Sequence, residues 1–143
     1  MPYEFLDDEA IADVAFQAWG GELGEVFACA ADATMNVMIE DLDAIRASES
    51  RDISLENETA DMLLFDLLQE LVYYKDAEQL LLRVSDVDIR ETNGVYRLHA
   101  RAWGERLDPT RHEQVADVKA VTLHRFELEQ TAEGWAAHVI LDI

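Results

Sequence analysis

The chain stops at Leu141-Asp142-Ile143, immediately after an apolar run. If that run is a strand tied into a sheet, the terminal carboxylate cannot fray. The Asp142 side chain and the Ile143 terminal carboxylate then offer several oxygens close together, the donor set that hard divalent cations such as calcium or magnesium prefer. Asp13 interrupts another apolar stretch, Ala12 to Trp19, and adds a carboxylate if the two strands converge. The plainer alternative is an ordinary frayed terminus and a surface Asp.

The other chemistry-bearing residues are sparse. No phosphate-cradling G-x-x-x-x-G-K-[ST], dinucleotide G-x-G-x-x-G, zinc-binding H-E-x-x-H or nucleophile elbow G-x-S-x-G occurs. Cys29 lies on an apolar helical stripe, which reads as a small core residue rather than a reactive thiol. As the single cysteine, it excludes an intramolecular disulfide and a multi-cysteine zinc site. The Asp41/Asp43 and Asp86/Asp88 pairs sit in or beside turns and read as solvated surface. His124 stands among apolar neighbours on an expected strand, as a hydrogen-bonded core histidine or as a base beside a bound metal. Asp61 opens a helix and suits its dipole. It also stands as a further candidate for the metal site.

Charge narrows the partners. The 143 residues carry 31 Asp and Glu against 11 Lys and Arg, a formal net charge of −20. Only Lys75 and Lys119 are lysines. Polyanion binding depends on clustered basic residues displacing counterions, so direct nucleic-acid binding is not expected. Few lysines among many acids point to a high-salt cytosol, where the Debye length is about 3 Å at 1 M and self-repulsion is screened. With half the chain hydrophobic, a core can be buried. No run of about 18 apolar residues suggests a membrane span. The start Met1-Pro2-Tyr3-Glu4 lacks the basic character of a leader, so a cytoplasmic protein is expected.

These residues need elements to hold them. Alternation over Ala12 to Trp19 predicts a half-buried strand, broken by Gly20-Gly21. Leu23, Val26, Phe27, Ala30, Thr34, Val37 and Met38 form a helical stripe. A polar loop over 40–50 leads to a short strand at Asp52 to Leu55. Asn57 or Thr59 caps a second helix, with Met62, Phe65, Leu68, Leu71 and Val72 inward. A strand follows at Leu80 to Ile89. Asn93-Gly94 is a hairpin signal, and Val95 to Trp103 continues from it. Arg106 to Asp117 is polar, contains Pro109 and reads as a mobile loop. Lys119 to Glu129 and Trp135 to Asp142 complete the pattern, with a turn at Thr131 to Gly134. The expected fold is α+β, two helices packed on a mainly antiparallel sheet in a single domain.

Several segments together resemble the archease family. Tyr3-Glu4-Phe5-Leu6 resembles its opening strand. Ala12-Asp13-Val14 with Ala18-Trp19-Gly20 resembles its "A-D-(I/V) … A-x-G" segment. Leu23, Val26-Phe27, Ala30-Ala31 and Asn36-Val37-Met38 follow its first helix, and Leu63-Leu64, Leu67-Leu68 and Glu70-Leu71 its second. Val118-Lys119-Ala120-Val121-Thr122-Leu123-His124 is close to its "K-A-V-T-Y-H", and Val139 to Ile143 resembles its ending. The N-terminal motif differs: the family reads L-E-H-T-A-D, whereas Leu6 and Asp13 here are seven residues apart, and Asp8 or Glu9 stands roughly where the family has His.

The resemblance implies one archease-like domain over 1–143. It implies a divalent metal, calcium first, on Asp13, Asp142 and Ile143, with Asp8 a further candidate. It makes Lys119 a contact to a partner or its nucleotide rather than a surface lysine paired with Asp117 or Glu113. The implied function is that of a non-catalytic activator of an RtcB-type RNA ligase in tRNA splicing or RNA repair, promoting guanylylation of the ligase and multiple turnover. Two other classes remain open: a stand-alone metal-dependent hydrolase with His124 as base, and a general chaperone or modulator of nucleic-acid-modifying enzymes. The hydrolase requires a pocket beside the metal, and the chaperone a sizeable exposed apolar patch.

Overall fold

The computed structural model describes residues 2–6 and 13–143. The chain runs β1 (Tyr3–Leu6), β2 (Asp13–Gly20), α1 (Leu23–Met38), a 3-10 turn (Leu42–Ala44), β3 (Glu49–Asn57), α2 (Ala60–Glu78), β4 (Leu80–Thr92), β5 (Val95–Arg106), β6 (Ala120–Val121), β7 (Glu127–Thr131) and β8 (Gly134–Asp142). This is an α+β fold whose strands pair antiparallel.

The strands divide into two sheets, where the sequence pattern suggested one. The first has the order β1-β2-β8-β6, with β7 also on β8; the second is β3-β5-β4. The expected meander is therefore split. The β4–β5 hairpin turns through Asn93 (φ 54°) and Gly94 (φ 77°) and takes β3 as its third strand. The chain then crosses through 107–119 and delivers β8 between β2 and β6. Local periodicity carries no information about this choice of partners.

Both helices are shared by the two sheets. Helix α1 packs on β2 and β8 of one and on β4 of the other; α2 packs on β3, β4 and β5 and on β6 and β7. The apolar stripe of α1 accordingly disappears into the core at Val26, Phe27, Ala30, Val37 and Met38, and α2 buries Leu63, Leu64, Leu67, Leu68 and Leu71. Helix α1 starts with the Glu22 N–H donating to Glu25 Oε1 at 3.2 Å, placing acidic residues where the dipole favours them. Thr59 occupies the N-cap of α2, and its N–H donates to Asn57 Oδ1 at 3.4 Å.

Three segments differ from the sequence pattern. The strand at Asp52 to Leu55 extends to Glu49–Asn57, because one face of β3 is solvated and its polar residues alternate outward. The strand from Leu80 reaches Thr92, with an irregularity between Ser85 and Asp88, where Asp86 adopts φ 53°. The single strand anticipated over Lys119 to Glu129 is two short ones. Val121 faces Leu141 and Glu127 faces His138, so five intervening residues oppose two on β8. The excess is absorbed in a turn, with Arg125 at φ 53°.

The loop after β5 is tied down rather than loose. Arg111 Nη1 donates to the Ala44 carbonyl at 2.8 Å. His112 is buried. The Glu40 N–H donates to the Glu113 carbonyl and the Val115 N–H to the Met38 carbonyl, both at 2.9 Å.

Candidate functional site

Asp13 is the first residue of β2, Asp142 the last of β8 and Ala120 the first of β6. The register pairs Asp13 with Asp142 and Asp142 with Ala120. The three residues thus form one row across one end of the first sheet. Directly opposed residues on neighbouring strands point to the same face, so the two carboxylates are neighbours, an arrangement that like charge disfavours. Both residues are half-buried. Ile143 follows at once, and its side chain packs against the core.

The row is fastened from the β6 side. The Lys119 N–H donates to the Asp142 carbonyl at 2.8 Å. The Thr122 N–H and hydroxyl both donate to the Ile140 carbonyl at 3.1 Å. The Lys119 side chain is exposed and makes no ion pair among the described residues. Asp117, considered above as its partner, binds Lys75 instead, Nζ to Oδ1 at 2.6 Å.

The remaining candidates lie elsewhere. His124 is not a core histidine on a strand: it is exposed in the turn between β6 and β7. It lies alongside the middle of β8, about four residues or roughly 13 Å from Asp142. Asp61 serves its own helix start, accepting from the Met62 N–H at 2.8 Å. Further along α2, Phe65 meets Phe126 edge to face at 5.6 Å, and Gln69 Oε1 accepts from the Val121 N–H at 3.4 Å. Asp61 is therefore roughly 12 Å along the helix from the level of β6, away from the Asp13–Asp142 row. Asp8 lies outside the described residues. Cys29 packs half-buried against the core, where burial, reinforced by Asp32, pushes its thiol pKa up. That disfavours a reactive thiolate.

The donors at the row are all oxygens, as a hard cation requires. Among the described residues, no group of three or more His, Cys, Asp and Glu side chains is arranged to hold a metal. An ion at this row would be held by the two Asp side chains only with further oxygens, from the Ile143 carboxylate and water. The chemistry of the donor set fits calcium or magnesium and is unsuited to a soft metal.

Two networks near this end of the molecule escaped the sequence reading. Lys75, in the last turn of α2, turns its ammonium to Asp76, Asp117 and the Val118 carbonyl, the last at 2.8 Å. Burial opposes its charge, but the hydrogen bonds it donates to Asp117 and Asp76, with the charges of those carboxylates, outweigh burial and raise its pKa. The only sequence signal was that Lys75 is one of two lysines. The second network joins Glu105, Arg111 and His112. Its members look like solvated charges in a polar loop, and only the fold buries them.

A cavity of about 450 Å³ lies between the helix ends and the 107–117 loop, with Met38, Leu81, Leu107 and Val115 in its wall. Neither Asp13 nor Asp142 lines it. Among the described residues, no helix is long and apolar enough to cross a membrane.

The chain's relatives agree with this architecture. The model of the archease protein family matches residues 3–143. A protein archease of Methanosarcina barkeri is 41% identical over 142 residues, covering 99% of this chain and 95% of the relative. One from Pyrococcus abyssi is 35% identical over 136 residues, covering 94% and 95%. The solution structure of Methanobacterium thermoautotrophicum protein 1598 superposes with a TM-score of 0.85 at 36% identity, covering 99% of both chains. The crystal structure of a Thermotoga maritima archease, described as a possible chaperone, superposes at 0.58 with 18% identity over 96% of both chains and shares the fold. This chain is a member of the archease family.

Proposed function

We propose that this protein is a non-catalytic activator of an RtcB-type RNA ligase, acting in tRNA splicing or RNA repair by promoting guanylylation of the ligase and its repeated turnover. The observation that carries the reading is the Asp13–Asp142 pair opposed across β2 and β8, with the chain's last residue beside it. Two adjacent carboxylates repel unless a cation lies between them. Asp13, Asp142 and the Ile143 terminal carboxylate hold a divalent ion, calcium first. Such an ion, when bound, supplies positive charge that attracts phosphate oxygens.

This chain's own residues do the rest. The β2–β8–β6 row holds the carboxylates on rigid backbone. Lys119, one residue before the row, presents an exposed ammonium, without an ion pair among the described residues, to the ligase or its nucleotide. The activator grips no RNA. Arg51, Arg83, Arg90, Arg97, Arg101, Arg106 and Arg111 are each paired with an Asp or Glu, so few basic groups remain to displace counterions from a phosphate backbone. The same acidic surface suits the cytoplasm of a salt-adapted organism.

The position of His124 does not favour the hydrolase reading. The exposed large apolar residues, among them Phe5, Tyr73, Trp103 and Val115, are spread over different elements, which gives no support to a broad chaperone surface.

The test is RNA joining by the ligase of the same organism, at enzyme far below substrate and in suitable salt. Wild type should raise turnover. Asp142→Ala should abolish the gain while remaining folded, and chelation of divalent ions from the activator should mimic it. Equal stimulation by wild type and Asp142→Ala would remove the carboxylate site from the mechanism. No stimulation by wild type would remove the activator reading.

A further inference from the structure

The two lysines of this chain are coupled through the backbone. Lys75 is largely enclosed, with 12% of its side chain exposed. Its ammonium has three donors, and each meets an oxygen: the carboxylates of Asp76 and Asp117 and the Val118 carbonyl. Val118 is fully buried. The next residue is Lys119, whose N–H holds the Asp142 carbonyl. The residue after that, Ala120, faces Asp142 in the register. An unbroken series of contacts therefore runs from the last turn of α2 through Asp117 and Val118 to the carboxylate row.

The strand being held is weak by itself. β6 has two residues, and the polar loop before it is anchored at its far end through Arg111 and His112. Backbone bonds then hold Glu113 and Val115 on one side and Lys119 and Thr122 on the other; between them, the bonds from Lys75 are the polar contacts that fix Asp117 and Val118 among the described residues. The other polar bond from α2 to this segment, Gln69 to the Val121 N–H, is long at 3.4 Å.

We infer that Lys75 is a positioning residue for the carboxylate end: its clasp on Asp117 and Val118 sets the place of Lys119 and, through the Lys119–Asp142 hydrogen bond, of the Asp142 backbone. The consequence for cation binding rests on the metal reading proposed above. The consequence for β6 does not.

The experiment compares wild type, Lys75→Met, Lys75→Arg and the surface control Arg90→Met by two readouts. Amide hydrogen exchange follows Lys119 and Thr122 against reference amides in β4 and β5. Calorimetric titration with calcium alone follows the carboxylates. Lys75→Met should speed exchange at Lys119 and Thr122 roughly tenfold while the β4 and β5 amides stay unchanged. It should also weaken calcium binding about tenfold, the scale on which residues supporting metal ligands act. Lys75→Arg should restore part of both, and Arg90→Met should change neither.

Unchanged exchange at Lys119 in Lys75→Met overturns the inference. Faster exchange with unchanged calcium affinity overturns its positioning of the site and leaves Lys75 a stability residue. If the β4 and β5 amides also lose protection, Asp117→Asn, which removes one partner and spares the lysine, is read by the same criteria. If wild type binds no calcium, the metal reading fails, and exchange alone decides whether Lys75 holds β6.

Discussion

Gly104→Ala is expected to lower stability by about 4 kcal/mol or more, at the diagnostic end of single-substitution effects. Gly104 lies near the end of β5, the central strand of the second sheet, facing Glu49 on β3 and Leu82 on β4. A Cβ at this position would stand 1.6 Å from the Leu81 carbonyl oxygen and 2.7 Å from its carbon. The obstacle is backbone, so no rotamer change relieves it. Leu81 and Leu82 are buried in the core, so β4 cannot retreat without disturbing the helices. The strands must part over the stretch that includes the Leu80–Arg106 and Val84–Ala102 pairs. The Ser48 N–H, which donates to the Gly104 carbonyl at 2.9 Å, is displaced with them. Urea denaturation checks this: at a slope of roughly 2 kcal/mol per molar, the midpoint should fall by about 2 M. A midpoint within experimental error of wild type would show that β4 and β5 do not approach so closely.

The second large effect concerns the neighbouring residue. Glu105 Oε1 accepts from the Arg46 N–H at 2.9 Å and from Arg111 Nη2 at 2.5 Å. His112 Nε2 lies 2.8 Å from the same oxygen. The Asp108 N–H donates to His112 Nδ1 at 2.9 Å, so Nε2 carries the ring proton and donates to Glu105. Three donors therefore converge on one oxygen in a buried place. Glu105→Ala leaves the His112 N–H and the Arg111 guanidinium without their acceptor and should cost about 3 kcal/mol, the range for breaking a buried charged pair from one side.

The same site makes stability depend on acid. The Arg111 hydrogen bond, against the opposing effect of burial and with help from Arg46 and His112, holds the Glu105 carboxyl at about 2, below its ordinary 4.5. Because the folded value is the lower one, the stabilisation is fully present above pH 4.5 and is lost as pH falls from there toward 2. Glu105→Gln should remain folded at neutral pH, be less stable than wild type, and show a shallower acid slope across that window. Denaturant midpoints at a series of pH values measure it. An unchanged slope would mean that another carboxylate dominates acid unfolding.

This network also explains why the loop after β5 is ordered despite its composition. Arg106 to Asp117 is charged and contains Pro109, the pattern of a mobile connection. What holds it is Glu105 below, the Ala44 carbonyl beside it and Lys75 at its end. Glu105 is seven residues from His112, but the contacts that tie this network and the loop to the rest of the fold are remote in sequence. Glu105 and Arg46 are 59 residues apart, and Lys75 and Asp117 are 42 apart.

Local chemistry by itself determined a good deal of this protein. The helical stripes of α1 and α2, the alternation of β2, the apolar run of β8 and the Asn93-Gly94 turn are consequences of side-chain spacing, and they stand where the residues placed them. The carboxylates at Asp13 and Asp142 were visible because each interrupts or ends an apolar strand. Membership of the archease family was legible in short motifs kept in order. Tertiary structure alone decided the division into two sheets, the pairing of β2 with the last strand, and the row that sets Asp13 beside Asp142. It also decided that His124 points to solvent from a turn, and that Lys75 rather than Lys119 takes Asp117. The physical reason is common to all of these. Periodicity reports which face of an element is buried, a property of neighbours in the chain. Strand partners, buried ion pairs and the convergence of two carboxylates depend on contacts between segments separated by tens of residues, and those contacts leave no mark on local spacing.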